Sequence, residues 1–302
     1  MTLIVDRPSA QPEWAPPGHL EEDGVFVRRS PVGASGAART VYVHGLGGSS
    51  LNWADLMRLR GATSPGVALD LPGFGFSAPL PQMTLHAHAD AVIRVIDRDG
   101  GDPVDLVGNS MGGAVSVLVA ARRPDLVRSL ILIAPALPGM RVRLTHAPIL
   151  LAGVPGVSER LRRRLEAVSP EDRVDELSRL IFFRPDSLDA KRRQDAIVET
   201  ARRNSLSYSW DAFAQSAQSL SSVLLSRRGT ALWAYLRGVK APVLGIFGAE
   251  DRLVDVGVAP KAARRIGRGQ VVVLPAIGHV PMMEDPEQVF DVMCAFERQY
   301  LR

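Results

Sequence analysis

The chain has 302 residues, 46% of them hydrophobic, with 36 basic and 32 acidic side chains (formal net charge +4) and one cysteine, Cys294. That length and apolar share suffice for one large core carrying a subdomain, while one cysteine excludes an intrachain disulfide and any cysteine-built metal site. No uninterrupted apolar stretch reaches the roughly 18 residues of a membrane span, and the proline-containing, charged segment from Met1 to Pro17 lacks the apolar centre of a signal peptide. A cytoplasmic protein without an integral membrane segment is expected.

In chain order, Val25-Phe26-Val27 is predicted as an early antiparallel strand. Further strands are predicted at 40–43, 66–71, 104–108, 129–134, 243–247 and 271–274. Helical windows fall at 51–60, 85–97, 111–122, 259–266 and 287–300. Strand–helix alternation with short loops predicts an α/β protein, a mostly parallel, doubly wound sheet covered by helices on both faces. From about Leu137 to Val239 the rhythm breaks. That interval holds no strand pattern and reads as several amphipathic helices punctuated by Pro148, Pro155, Pro170 and Pro185. The expected organisation is therefore a core of residues 1–136 and 240–302 with a helical insertion at 137–239.

Net charge does not indicate a nucleic-acid partner. Only Lys191, Lys240 and Lys261 are lysines, a bias typical of a high-GC genome. The densest basic run, Arg162-Arg163-Arg164, has Glu159 and Glu166 beside it and reads as a solvated helix face.

Residues 105–113 read Asp-Leu-Val-Gly-Asn-Ser-Met-Gly-Gly. The G-x-S-x-G pattern from Gly108 to Gly112 follows an apolar strand and precedes a helix of small residues. A chain that turns from strand to helix this fast holds Ser110 in a strained conformation and lifts its hydroxyl above the sheet, at a helix N-terminus. A serine nucleophile needs a base, and the base needs an orienting acid. The strand at 243–247 is followed by Glu250 and Asp251, with Asp255 a little beyond. The strand at 271–274 is followed by Gly278-His279. Acid and histidine thus follow the C-terminal ends of strands, the edge where parallel sheets carry their sites. Glu250, Asp251 and Asp255 compete for the acid.

Four motifs resemble those of the α/β-hydrolase superfamily over nearly the whole chain. They are His44-Gly45-Leu46-Gly47-Gly48, Asp70-Leu71-Pro72-Gly73-Phe74-Gly75-Phe76-Ser77, Gly108 to Gly113, and Gly248-Ala249-Glu250-Asp251 with Gly278-His279. The resemblance implies an eight-stranded sheet and a Ser110–Asp251–His279 triad. It also implies an oxyanion hole from the backbone N–H groups of Leu46 and Met111, and a cap over Ser110 at the helical insertion. No cofactor or metal is implied.

Several of these positions also have a purely structural reading. His44 is expected to bond loop backbone and Asp70 to pin a turn. His86, His88 and His146 read as surface or cap histidines. Glu284 and Asp285 read as caps of the last helix, with Pro286 in its first turn. In the insertion, Leu150, Leu151, Ile181, Phe182, Phe183, Tyr208, Trp210, Phe213 and Trp233 either line a pocket or glue helices together. Arg184 and Arg192 either hold a substrate carboxylate or face solvent.

Serine at the elbow excludes the alkyl-ester chemistry of dehalogenases and epoxide hydrolases, because Ser110 would form an inert ether. It suits attack on a carbonyl through an acyl-enzyme. A small ester or lipid-like substrate is expected. Two alternatives remain. C–C hydrolases of diketo acids share the elbow, but they typically place tryptophan after the histidine where this chain has Val280-Pro281. Some members of the superfamily bind ligands without turnover.

Overall fold

A computed structural model of the chain describes residues 12–30, 39–61, 64–139, 144–154, 156–225 and 229–301. Residues 1–11, most of the N-terminal segment considered above, lie outside them, as does Pro155. Among the described residues one sheet contains β1 (Gly18–Leu20), β2 (Phe26–Arg29), β3 (Thr40–Val43), β4 (Gly66–Leu69), β5 (Val104–Asn109), β6 (Val127–Ile133), β7 (Val243–Gly248) and β8 (Gly269–Leu274). The spatial order is β1-β2-β4-β3-β5-β6-β7-β8. The β1–β2 and β2–β4 pairs are antiparallel and all others parallel. β1 is the strand not anticipated. It is three residues long, lies at the sheet edge and is mostly exposed, so it carries no apolar pattern. β3, β4, β5 and β7 are buried along their whole length. Strands covered on both faces read as continuous apolar runs, which made them visible.

The helices are α1 (Ala54–Arg60), α2 (Leu85–Arg98), α3 (Met111–Arg122), α4 (Ala147–Ala152), α5 (Val157–Glu166), α6 (Pro170–Ile181), α7 (Ala190–Ser205), α8 (Ser209–Leu225), α9 (Gly229–Gly238), α10 (Ala259–Ala263), α11 (Pro281–Glu284) and α12 (Pro286–Tyr300). On one face of the sheet, Val92 and Ile96 of α2 pack with Val115 and Leu118 of α3 and Leu232 of α9. On the other face, Leu56 and Met57 of α1 pack with Val289, Met293 and Phe296 of α12. The spacing 289, 293, 296 is one stripe of a helix. The window expected to start at Leu51 opens with a 3-10 turn over Ser50–Trp53, and α10 stops three residues before the expected end. No described helix is long and apolar enough to cross a membrane.

The helices α4 to α9 all fall between β6 and β7. Three arginines of α7 tie this insertion to the rest. Arg192 makes a two-point contact with Asp55 of α1, with Nη2 donating to Oδ1 at 2.6 Å. Arg202 donates to Gly75 O at 2.6 Å, and Arg203 to Gly47 O at 2.6 Å. Arg192 is therefore neither solvent-facing nor free to hold a ligand.

Register aligns the strand ends. Val43 lies opposite Gly108, Asn109 opposite Ile133, and Gly248 opposite Leu274. The loops that carry His44, Ser110, Asp251 and His279 consequently leave the sheet along the same edge.

Candidate active site

Ser110 sits between β5 and α3 with φ 54° and ψ −119°, a region L-residues rarely occupy. Such a residue costs about 1–3 kcal/mol and persists only where its surroundings enforce it. Here they do. Ser110 N–H donates to Ile133 O at 3.1 Å, and its carbonyl accepts from Gly113, Ala114 and Ala136. A Cβ at Gly108 would lie 2.5 Å from Gly112 O, and one at Gly112 would run into the carbonyls of Val43 and His44. Both glycines are required by this close crossing of strand and helix.

The Nδ1–H of His279 donates to Asp251 Oδ2 at 2.8 Å, and both side chains are buried. Because an ionised carboxylate only accepts, the proton must lie on Nδ1, which leaves Nε2 as the acceptor. The other oxygen of Asp251 accepts the N–H groups of Leu253 and Val254 at 2.7 and 2.8 Å. The rival acids are elsewhere engaged or exposed. Asp255 accepts from Gly257 N–H, and Glu250 points to the surface. Ser110 Oγ makes no hydrogen bond to His279 or to any other described residue, so the acid–base contact is made and the base–nucleophile contact is open. Catalytic hydrogen bonds are often long before substrate binds.

Gly45 to Gly48 form a tight turn, with Gly48 N–H donating to Gly45 O at 3.1 Å and Gly47 at φ 73°. Leu46 occupies its first central position. Neither Leu46 N–H nor Met111 N–H donates to a described residue, and Met111 begins α3, where the helix dipole favours negative charge. Two uncommitted N–H groups beside a serine can stabilise an oxyanion.

His44 and Asp70 are structural, as expected. His44 Nδ1 donates to Gly45 O at 2.7 Å, and Nε2 accepts from Leu71 N–H at 2.9 Å. Burial pushes its pKa down, with Asp70 opposing. Asp70 accepts from Ser50 N–H at 2.6 Å and from Phe76 N–H at 2.8 Å.

Other expectations are corrected. His86 is exposed and His146, though buried, precedes α4 in the helical insertion, both as expected, but His88 of α2 is buried in the core region. His88 bonds Ser216 of α8 at 3.0 Å, and His146 bonds Leu253 O at 2.6 Å. Asp285 caps α12 by accepting from Gln288 N–H, whereas Glu284 does not. Its buried carboxylate accepts instead from Gly278, Phe183 and Arg184. Arg184 lies 3.8 Å from the same carboxylate. Of the apolar candidates, Phe182 and Trp233 are core residues, with Trp233 Nε1 donating to Pro138 O. Trp210 stacks on Phe213.

A solvent-open cleft of about 70 Å³ lies at Ser110. Ala136, Ile149, Leu150, Leu220, Leu224 and Val254 line it, with His146 and Ser221 as its other polar walls. Of the apolar wall, Leu150 is the one residue that the sequence offered as a pocket candidate. Ile149, Leu220 and Leu224 carry no distinguishing signal beyond helical amphipathicity. Asn109 was also missed. Its carboxamide donates to Ile133 O at 3.0 Å and to His279 O at 3.2 Å.

A family model described as the alpha/beta hydrolase family matches residues 40–292. The dihydrolipoyllysine-residue acetyltransferase component of the acetoin cleaving system of Pseudomonas putida is 29% identical over 301 residues, 99% of this chain and 74% of that protein. The pimeloyl-acyl-carrier-protein methyl ester esterase of Neisseria meningitidis serogroup C is 46% identical over 100 residues, but these are only 32% of this chain and 37% of that protein. Among solved structures, a membrane phospholipase A described as a bacterial virulence factor superposes with a TM-score of 0.73 at 27% identity, covering 95% of this chain and 87% of that one.

Proposed function

Since the chain belongs to the α/β-hydrolase family, with a family model matching residues 40–292, we propose that it hydrolyses carboxylic esters through an acyl-enzyme on Ser110. The observation that carries this reading is the buried His279–Asp251 pair, with the strained Ser110 opening onto an aliphatic cleft. Such a cleft suits the acyl chain of an ester or lipid-like molecule. The insertion, residues 137–239, acts as the cap and supplies Ile149, Leu150, Leu220 and Leu224 to its wall.

Ser110 Oγ attacks the ester carbonyl carbon as His279 Nε2 takes its proton. The carbonyl oxygen gains the negative charge and accepts the N–H groups of Leu46 and Met111. Collapse expels the alkoxide, which leaves as the alcohol with the proton from His279. Water then attacks the acyl-enzyme by the same route, releases the acid and restores the serine. Asp251 holds the imidazole in the required tautomer and stabilises the imidazolium.

The C–C hydrolase reading is weaker on this site, because its carboxylate substrate needs an arginine. Arg192 is committed to Asp55 and Arg184 lies by Glu284. The deciding experiment compares kcat/KM for an aryl butyrate and a vinylogous diketo acid, with Ser110→Ala as control. We expect turnover of the butyrate, lost with Ser110→Ala together with fluorophosphonate labelling. A hundredfold preference for the diketo acid, on the order of 2.7 kcal/mol, would reverse the assignment. No turnover of any ester in a panel would favour a ligand-binding role.

A further inference from the structure

We propose that Glu284 is a positioning residue for His279, joining the end of the helical insertion to the turn that carries the base. The inference rests on the triad reading above. The side chain of Glu284, the last residue of α11, is fully buried, and its two oxygens are divided between distant segments. Oε2 accepts from Gly278 N–H at 2.8 Å and from Phe183 N–H at 3.1 Å. Oε1 accepts from Arg184 N–H at 2.8 Å. One carboxylate thus grips the residue just before the base and the two residues that follow Phe182 at the end of α6.

The same junction is closed by two further features. His279 N–H donates to Ile181 O at 2.7 Å, so the insertion also holds the backbone of the base directly. A Cβ at Gly278 would lie 2.5 Å from Ile181 O and 2.7 Å from Phe183 N, so the two backbones touch with no side chain between them. On the far side, Asn109 holds the carbonyl of His279. Both polar backbone groups of the base are therefore fixed, one by the insertion and one by the elbow.

Helix capping does not account for this carboxylate. Asp285, its neighbour, caps α12 by itself. A buried charge is tolerated only when its hydrogen bonds are complete. Three backbone N–H donors from two segments complete this one, and they fix those segments relative to each other. Movement of the insertion at its α6 end must consequently move the ring of His279 against Asp251 and Ser110.

The test compares Glu284→Ala, Glu284→Gln, Gly278→Ala and Asp285→Ala. It reads kcat and KM for an aryl butyrate per active site titrated with a fluorophosphonate, Tm, and the far-downfield proton resonance of the His279–Asp251 hydrogen bond. Glutamine keeps one accepting oxygen for Gly278 and Phe183 but turns an amide donor towards Arg184 N–H, so its effect should be intermediate. Displacing a catalytic group by about 1 Å costs roughly 100-fold, and Glu284→Ala and Gly278→Ala should each lower kcat by about that factor with KM little changed. Glu284→Gln should lower kcat by about tenfold, and all three should shift or broaden the downfield resonance. Asp285→Ala should lower Tm and leave kcat per titrated site unchanged.

Should Glu284→Ala fail to fold, Glu284→Gln and Gly278→Ala decide alone. Wild-type kcat per titrated site and an unmoved resonance in these variants, with only Tm reduced, would overturn the inference and leave Glu284 a purely structural residue. Full activity of Ser110→Ala or His279→Ala would instead sink the triad reading itself, so the two failures are distinguishable.

Discussion

Asn109 and His279 stand 170 positions apart in the chain, yet the Asn109 carboxamide donates to the His279 carbonyl at 3.2 Å. The residue before the proposed nucleophile thereby holds the backbone of the proposed base. A second bond of the same amide, to Ile133 O at 3.0 Å, anchors it to β6. The elbow and the base loop are registered by one side chain that touches neither reacting atom.

Asn109→Ala should accordingly reduce kcat by about tenfold to 100-fold while leaving KM nearly unchanged, because the base is displaced and the cleft is not. Loss of the buried bond to His279 O should also cost about 1–3 kcal/mol of stability. Asn109→Asp should be worse, since it sets a carboxylate against two carbonyl oxygens. Steady-state kinetics with urea denaturation of both variants checks this, and an Asn109→Asp enzyme of wild-type kcat would rule the registering role out.

The choice of acid can be tested separately. Asp251→Asn keeps the shape but no longer holds His279 in the accepting tautomer, and kcat should fall by roughly 10³ to 10⁴-fold. Asp255→Asn should have little effect, since that side chain bonds the Gly257 N–H. The reverse ranking would move the acid role to Asp255.

Acid should weaken the fold through buried neutral histidines. Burial pushes the pKa of His88 down to about 3, with nearby His44 adding to the effect, and His44 is pushed down by its own burial. An unfolded histidine titrates near 6.5. The folded pKa of His88 is the lower one, so the unfolded state binds the proton first. For His88, stability is then complete above about pH 6.5 and falls as pH drops towards 3, by about 1.4 kcal/mol per unit. His88→Gln, which can still bond Ser216, should flatten this slope. Urea midpoints at pH 7 and pH 5 measure it, and equal slopes in the two proteins would exclude His88 as a source.

Much of the candidate site's placement was legible because its parts are local. Ser110, Asp251 and His279 each follow an apolar run that could only be a buried strand, and the parallel register then carries them to one edge. His88 also left a signal that was available. It falls on the helical stripe of Leu85, Val92 and Ile96, all buried. The roles of Glu284 and Asp285 were not separable, because two adjacent carboxylates before a helix look alike until the path of the insertion is known. The same holds for Asn109, whose partner comes from a distant loop. In the insertion, the aromatic residues drew attention by size, but Phe182 and Trp233 fill the core while smaller aliphatic residues face the cleft.

Those aliphatic residues set the expected chain-length preference. Leu220 and Leu224 of α8 line the cleft at Ser110 together with Ile149 and Leu150 of α4. Each methylene transferred from water into such a cleft contributes about 0.8 kcal/mol. Extending an acyl group from acetate to hexanoate adds four, so kcat/KM should rise by up to roughly 200-fold if all four are buried in the transition state. Leu224→Trp fills part of that space. It should remove most of the gain for hexanoate while leaving the acetate ester within about threefold of wild type, because a short acyl group reaches only the neighbourhood of Ser110 and Ala136. The measurement is kcat/KM for p-nitrophenyl esters of increasing length in both proteins. A flat profile in the wild type, or equal losses for acetate and hexanoate in Leu224→Trp, would mean that the acyl chain occupies some other part of the molecule.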